Sequence, residues 1–212
     1  MTSPTILPLG DTALVIRFAD KLSDEANRAA ISAAARLSDA AIAGVAEVVP
    51  GLVSVLLRLS DGADFWRVSG EAGLLLDSIE DEQPRGLTHD LPVVFDGEDL
   101  PEVARLVGLP PERFIEQHNA DPLRVLATGF APGFVYCGLH PADLVVPRRE
   151  QVRPMVPAGT VLFAAGQTAI AATPIRTGWH VIGRTTFQNF DPDTDPPTRL
   201  RAGDLVRFSV GA

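Results

Sequence analysis

The chain has 212 residues, enough for one large domain or two small ones, and 46% of them are apolar, which supports an ordinary core. A formal charge of −9 excludes a nucleic-acid binder, which needs a basic footprint. One cysteine, Cys137, excludes an internal disulfide and a cysteine-rich zinc site, and no run reaches the roughly 18 apolar residues of a bilayer span. The first residues lack the basic start and apolar run of a secretion signal, so a cytoplasmic protein is expected.

Residues 12–18 read as a β-branched, apolar strand. Ser23 or Asp24 caps a helix running through Ala29, Ala30, Ala34 and Leu37 to about Ala40. Strands at 45–49 and 53–59 flank the turn dipeptide Pro50-Gly51, and 63–79 fits a second helix that Gly70 and Gly73 weaken. This β-α-β-β-α order, with 90–95 as a candidate closing strand, predicts a small α/β unit of split βαβ type over residues 1–86.

The polar stretch 80–86 marks the boundary. Beyond it come a strand at 91–95 and helices at 99–107 and 111–119, the second opened by Pro110-Pro111. Short apolar runs at 123–129, 160–165, 168–172, 179–183 and 204–210, punctuated by Pro and Gly, predict a β-barrel or sandwich in residues 87–212. The fold class expected is therefore an α+β N-terminal domain followed by a mainly-β domain.

The stretch 129–138, followed by Pro147-Arg148-Arg149 and residues 156–159, shows little helical or strand periodicity. Glycine permits close approach of backbone to a ligand, so the block is read as the lining of a surface cleft. From Asp121 onward nine arginines face seven acids, which suits a small anionic substrate. Lys21 is the sole lysine against seventeen arginines, so there is no lysine-bearing phosphate loop.

Arg148, Arg149 and Arg184 are the strongest polar candidates, because guanidinium forks grip carboxylate or phosphate at two points. Gln167, after Ala165-Gly166, both donates and accepts and is placed in the same cleft. The competing reading pairs Arg148 with a structural acid such as Glu150. Cys137 lacks any signature of a nucleophile and reads as a small hydrophobe. Asp191, Asp193 and Asp195 alternate like a calcium loop but lack its glycine and glutamate, and read as a solvated turn. His89, His118, His140 and His180 have no metal-binding helical spacing, so no metal is expected.

Several ordered motifs resemble the PxpB/KipI family, also called allophanate hydrolase subunit 1. They are Gly129-Phe-x-Pro132-Gly133-Phe-x-Tyr136, Pro147-Arg-Arg149, Val156-Pro-Ala-Gly159, Gly166-Gln-Thr168, Gly178-Trp179, Ile182-Gly-Arg-Thr185 and Gly203-Asp-x-Val-Arg-Phe208. The resemblance spans essentially the whole chain and implies a cyclophilin-like barrel as the second domain. It also implies the B-type component of an ATP-dependent 5-oxoprolinase, which opens the lactam of 5-oxoproline to L-glutamate. Two further proteins would complete that enzyme, one PxpA-like and the other PxpC-like and homologous to this chain. ATP, with Mg, is expected to be bound by or shared with those partners.

On the same footing Arg148 and Arg149 act with His118, whose ordinary pKa of roughly 6.5 lies near working pH, in catalysis. Phe130, Pro132, Gly133, Tyr136, Gln167, Trp179 and Arg184 bind substrate. Relatives also include allophanate or urea amidolyase-type subunits, and a regulatory protein that binds a histidine kinase. Where the family has Ile-Tyr-Pro-x-x-Ser-Pro-Gly-Gly-Trp, this chain reads Ile170-Ala-Ala-Thr-Pro-Ile-Arg-Thr-Gly-Trp179, a departure that bears on substrate identity.

Overall fold

The computed structural model describes residues 4–77 and 86–211. The chain divides between residues 85 and 86 into two compact units. Of the boundary stretch 80–86, all but Gly86 lies outside the described residues, as does the end of the predicted second helix.

The first unit is a four-stranded antiparallel sheet with two helices. Its strands are β1 (Thr5–Leu9), β2 (Ala13–Arg17), β3 (Val45–Pro50) and β4 (Ser54–Leu59), and its helices are α1 (Asp24–Asp39) and α2 (Phe65–Asp77). Ser23 is the α1 cap: its Oγ accepts from the Ala26 N–H at 3.1 Å, while Asp24 and Glu25 face the positive end of the helix dipole. The alanines of α1 (Ala30, Ala33, Ala34) bring the helix backbone close to the sheet, where Leu14, Ile16, Val55 and Leu57 are sealed from water.

The spatial order β1-β2-β4-β3 places β4, antiparallel to both neighbours, between β2 and β3, which is the expected split βαβ. The position beside β2 is filled by β1 through a hairpin, not by residues 90–95. Pro8 hides β1 from strand prediction, yet proline is tolerated there because β1 is an edge strand.

The second unit is a curled seven-stranded sheet. It contains β5 (Thr88–Val93), β6 (Leu123–Thr128), β7 (Val135–Gly138), β9 (Thr160–Ala164), β10 (Gln167–Ile170), β12 (His180–Arg184) and β13 (Leu205–Val210). Their order is β12-β9-β10-β7-β6-β13-β5, with β13–β5 parallel and the other pairs antiparallel. Val94 and Arg184 exchange backbone hydrogen bonds of 2.9 Å in each direction, so the two edges of the sheet meet. Closing a sheet on itself removes exposed edges.

A separate ribbon pairs β8 (Arg153–Val156) with β11 (Ile175–Thr177). The β9–β10 hairpin turns on Ala165 and Gly166, both at positive φ, as a two-residue type I′ turn demands. Helices α3 (Leu100–Leu106) and α4 (Pro111–His118) contribute Val103 and Phe114 to a core with Val125, Phe163, Ile182 and Phe208. Among the described residues no helix is long and apolar enough to cross a membrane.

The Gly/Pro block departs from expectation. Part of it is the interior strand β7, with Val135 and Cys137 fully buried, so it builds the core as much as it lines a cleft. Its glycine-broken spacing conceals a strand whose pairing comes from β6 and β10.

Candidate functional site

Asp99 is the buried hub around which the site is assembled. It stands at the start of α3, but its carboxylate does not cap that helix. Oδ1 accepts from the Arg149 guanidinium and from Arg153 Nη2 at 2.7 Å, while Oδ2 accepts from the Val181 N–H at 2.8 Å. Arg153 also reaches Glu98 at 2.6 Å, and the Arg149 N–H donates to the Gly178 carbonyl at 2.7 Å. One acid thereby ties α3, the 147–153 loop, β12 and the approach to Trp179 together. A buried charge is tolerated when paired in this way.

Arg149 is therefore held by a structural acid, the fate weighed for Arg148 with Glu150. Arg148 itself has no carboxylate partner among the described residues. Its guanidinium lies 5.6 Å from the Trp179 ring centroid, a cation–π stack that leaves the fork free for an anion. Tyr136 meets Trp179 at 6.0 Å, Phe134 meets Tyr136 at 4.8 Å, and Phe130 meets Phe134 at 5.4 Å, forming a continuous aromatic shelf. Burial raises the Tyr136 phenol above its ordinary pKa, with the Arg148 charge pulling the other way. The structure thus brings together Arg148, Trp179, Tyr136 and Phe130, the last 73% exposed and at φ +74°.

Beside the shelf is an open cleft of about 320 Å³, with Glu102 and Leu106 of α3 on one wall and Pro147, Arg148, Arg149 and His180 on the other. Asp99, Glu102 and His180 each bring a ligand-type atom within 4.8 Å of the others. Arg149 and Arg153 already neutralise Asp99, so this donor set does not suit a divalent cation.

The remaining predicted residues lie elsewhere. His118 is 1% exposed in the barrel core, and burial holds its pKa at about 4 rather than near 6.5. Its Nδ1–H donates to Asn119 Oδ1 at 2.7 Å, so Nε2 accepts from the Thr168 hydroxyl, also at 2.7 Å. That hydroxyl in turn accepts from His140 Nε2–H at 2.8 Å. Both rings are neutral, and the chain of donors is complete.

Arg184 is exposed, pairs with Asp96 at 2.9 Å and lines no part of the cleft. Gln167 is buried beside Gly138, its carbonyl oxygen unpartnered. Cys137 is sealed in the core with its thiol pKa pushed up to about 12, which fits the hydrophobe reading. In the acidic turn, the Asp191 carboxylate accepts from the Asp193 N–H at 3.1 Å.

Pro132 is exposed, but Gly133 is buried at φ +66°, and a Cβ there would lie 2.5 Å from Phe190 Cβ and 2.8 Å from Ala172 Cβ. The close approach that glycine permits is to the protein's own chain, not to a ligand. Gly133→Ala is expected to lose about 2–4 kcal/mol, from left-handed backbone strain plus overpacking. Urea unfolding checks this, and a loss under about 1 kcal/mol would contradict it.

Asp99, Glu102, Arg153 and His180 were not singled out by sequence. An Asp before Leu-Pro at a helix start reads as a cap, and nothing local reveals that its carboxylate turns toward residues fifty positions away.

A family model described as carboxyltransferase domain, subdomain C and D, matches residues 4–200. A protein of Bacillus subtilis (strain 168), named as the B subunit of 5-oxoprolinase, is 34% identical, with 94% of this chain and 90% of that protein covered. The crystal structure of TTHA0988 is similar at 35% identity and a TM-score of 0.83, over 94% of this chain. This chain spans only 40% of that one. The urea amidolyase of K. lactis shares the fold at a TM-score of 0.74 and 14% identity, covering 99% of this chain and 15% of that one.

Proposed function

The chain belongs to the carboxyltransferase domain, subdomain C and D, family, and from that premise we propose that it is the B-type subunit of an ATP-dependent, multi-protein enzyme that opens 5-oxoproline to L-glutamate. The name of its Bacillus subtilis relative supports the reaction. The observation that carries this chain's own part is Arg148, stacked on Trp179 with its fork unclaimed by any acid among the described residues.

Lactam opening adds water across the ring C–N bond: the carbonyl carbon gains the oxygen and the nitrogen gains the proton. Amide resonance makes that carbon a poor electrophile, so activation must come from ATP. Helix N-termini are the usual phosphate cradles, and that of α2 is already occupied by the Asp64 carboxylate, which accepts from the Trp66 and Arg67 N–H groups. We assign nucleotide chemistry to the PxpA-like and PxpC-like partners or to a site shared with them.

In this division of labour Arg148 grips the substrate carboxylate, Trp179 and Tyr136 fix the plane of the guanidinium, and the Phe130–Phe134 edge shields it from water. The Asp99 network holds the loop that presents Arg148. The 175–177 segment that departs from the family pattern leads into Gly178, whose carbonyl accepts from the Arg149 N–H. A ureido acid such as allophanate is the second substrate to test for that reason.

The experiment is glutamate and ADP release from 5-oxoproline and ATP by this chain co-purified with its partners, with this chain omitted as control. Arg148→Ala is expected to raise KM for 5-oxoproline about 10–100-fold, the loss of a charge-assisted hydrogen bond of about 1.5–3 kcal/mol. Unchanged KM would remove Arg148 from the site, and activity without this chain would overturn the reading.

A further inference from the structure

The two walls of the open cleft carry opposite charge at positions that solvent reaches. Arg148 stands on one wall, exposed and stacked on Trp179, with no carboxylate inside ion-pair distance among the described residues. Glu102 of α3 stands on the other, its side chain 50% exposed. Its one ion pair among the described residues is a 3.7 Å approach to Arg149 Nη1, a nitrogen that Asp99 already holds. That is longer than an N–H···O hydrogen bond, so the Glu102 oxygens are left to whatever enters the cleft. Glu150, exposed on the same lining, does not close on Arg148 either. Charge around the Asp99 network is thus uneven. Glu98, Asp99 and Glu102 present three carboxylates to the guanidiniums of Arg149 and Arg153, while Arg148 is left over across the cleft.

An unpaired cation and a surplus anion held apart across one cavity suit a small ligand that carries both charges itself. We infer that the cleft is an α-amino-acid site, in which Arg148 takes the carboxylate and Glu102 holds the α-nitrogen. The inference deepens the reading of the chain as part of a lactam-opening enzyme, and rests on it for the step that creates the ammonium. In 5-oxoproline the ring nitrogen offers Glu102 a single neutral N–H. When the ring opens, the oxygen of water enters the new carboxylate and both of its protons end on the nitrogen, which becomes an ammonium. Glu102 then gains a full opposite charge, so its attraction grows as the C–N bond breaks. A group that prefers the departing nitrogen over the lactam N–H favours opening and holds L-glutamate more firmly than 5-oxoproline.

The test titrates the full chain with L-glutamate, glutarate and 5-oxoproline, read by calorimetry. Glutarate keeps both carboxylates and the carbon chain of glutamate but has no nitrogen. L-Glutamate is expected to bind at least about tenfold more tightly than glutarate, the usual effect of a charge-assisted hydrogen bond. In Glu102→Gln that preference disappears while glutarate binds at least as well as before, because a repelling charge has been removed. In Arg148→Ala all three ligands weaken by about tenfold or more.

The ligand series acts on the unaltered protein, so the test stands even if a variant fails to fold. Equal affinity for glutamate and glutarate overturns the inference, as does the absence of binding by any of the three at tens of millimolar. A preference for glutamate that survives Glu102→Gln and vanishes in Glu150→Gln removes Glu102 from the site and overturns it as well. A complex that opens 5-oxoproline although this chain binds glutamate and glutarate alike overturns the inference and leaves the proposed reaction standing. A Glu102-dependent preference for glutamate in a chain whose complex opens no lactam overturns the reaction and leaves the amino-acid site standing.

Discussion

Asp99→Ala lowers the unfolding free energy of the second unit by about 3–5 kcal/mol, the usual result of removing one partner from a buried ionic group. The carboxylate is 4% exposed and receives two guanidiniums and the Val181 N–H. Without it, Arg149 and Arg153, each about one-fifth exposed, retain their charge with only Glu98 and Glu102 nearby. The backbone N–H of Val181 is left unsatisfied as well. Urea unfolding at neutral pH reads the effect, and a loss below about 1 kcal/mol would show that the guanidiniums find water. Because the same acid anchors the 147–153 loop, the variant that still folds should also bind 5-oxoproline more weakly, through displacement of Arg148.

Acid lowers the stability of the second unit well before its carboxylates are protonated. His118 and His140 are neutral in the core, with pKa values depressed by burial to about 4 and about 3, and His118 depresses His140 further. In the unfolded chain both titrate near 6.5. Between those values the unfolded state binds more protons than the folded one, so stability rises with pH across the window. It is complete above about 6.5 and lost progressively as pH falls toward 4. His118 alone accounts for about 3 kcal/mol over that range, and His140 acts in the same direction.

Unfolding free energies measured from pH 7.5 down to 5 test this. The slope should approach two protons, and His140→Asn should reduce it by about one. A flat profile would place water or a charge partner beside these rings. The same property explains why His118 does not serve as a proton shuttle near neutral pH: its imidazole is one link in a closed chain through Thr168.

The extent to which the site could be anticipated differs from residue to residue. Arg148, Trp179 and Tyr136 lie in motifs whose arginine and aromatics have no role in a periodic strand, and the structure stacks them. Arg149, next in sequence, looks identical on paper but is consumed by Asp99. Gly133 is equally ambiguous: glycine announces a close approach without saying to what, and here the neighbour is Phe190. His180 lies one residue after a recognisable tryptophan, yet a lone histidine carries no information about which ring nitrogen will find a partner.

Helices and hairpins were readable because their causes are local. Ser23 caps α1 within one turn, and Ala165-Gly166 turns β9 into β10 across two residues. Strands β1, β7, β8 and β11 escaped because proline, glycine or shortness erases their alternation, and each is stabilised by a neighbouring strand that its own residues do not announce. Composition and motif order by themselves determined the chain's family and its α+β and barrel architecture, since both rest on short-range patterns that survive in a one-dimensional string. Tertiary structure alone decided which charges are free to meet a ligand. A guanidinium is available or spent according to whether an acid fifty residues away folds against it, and the Coulomb energy that settles the matter depends on distance and burial rather than on sequence separation.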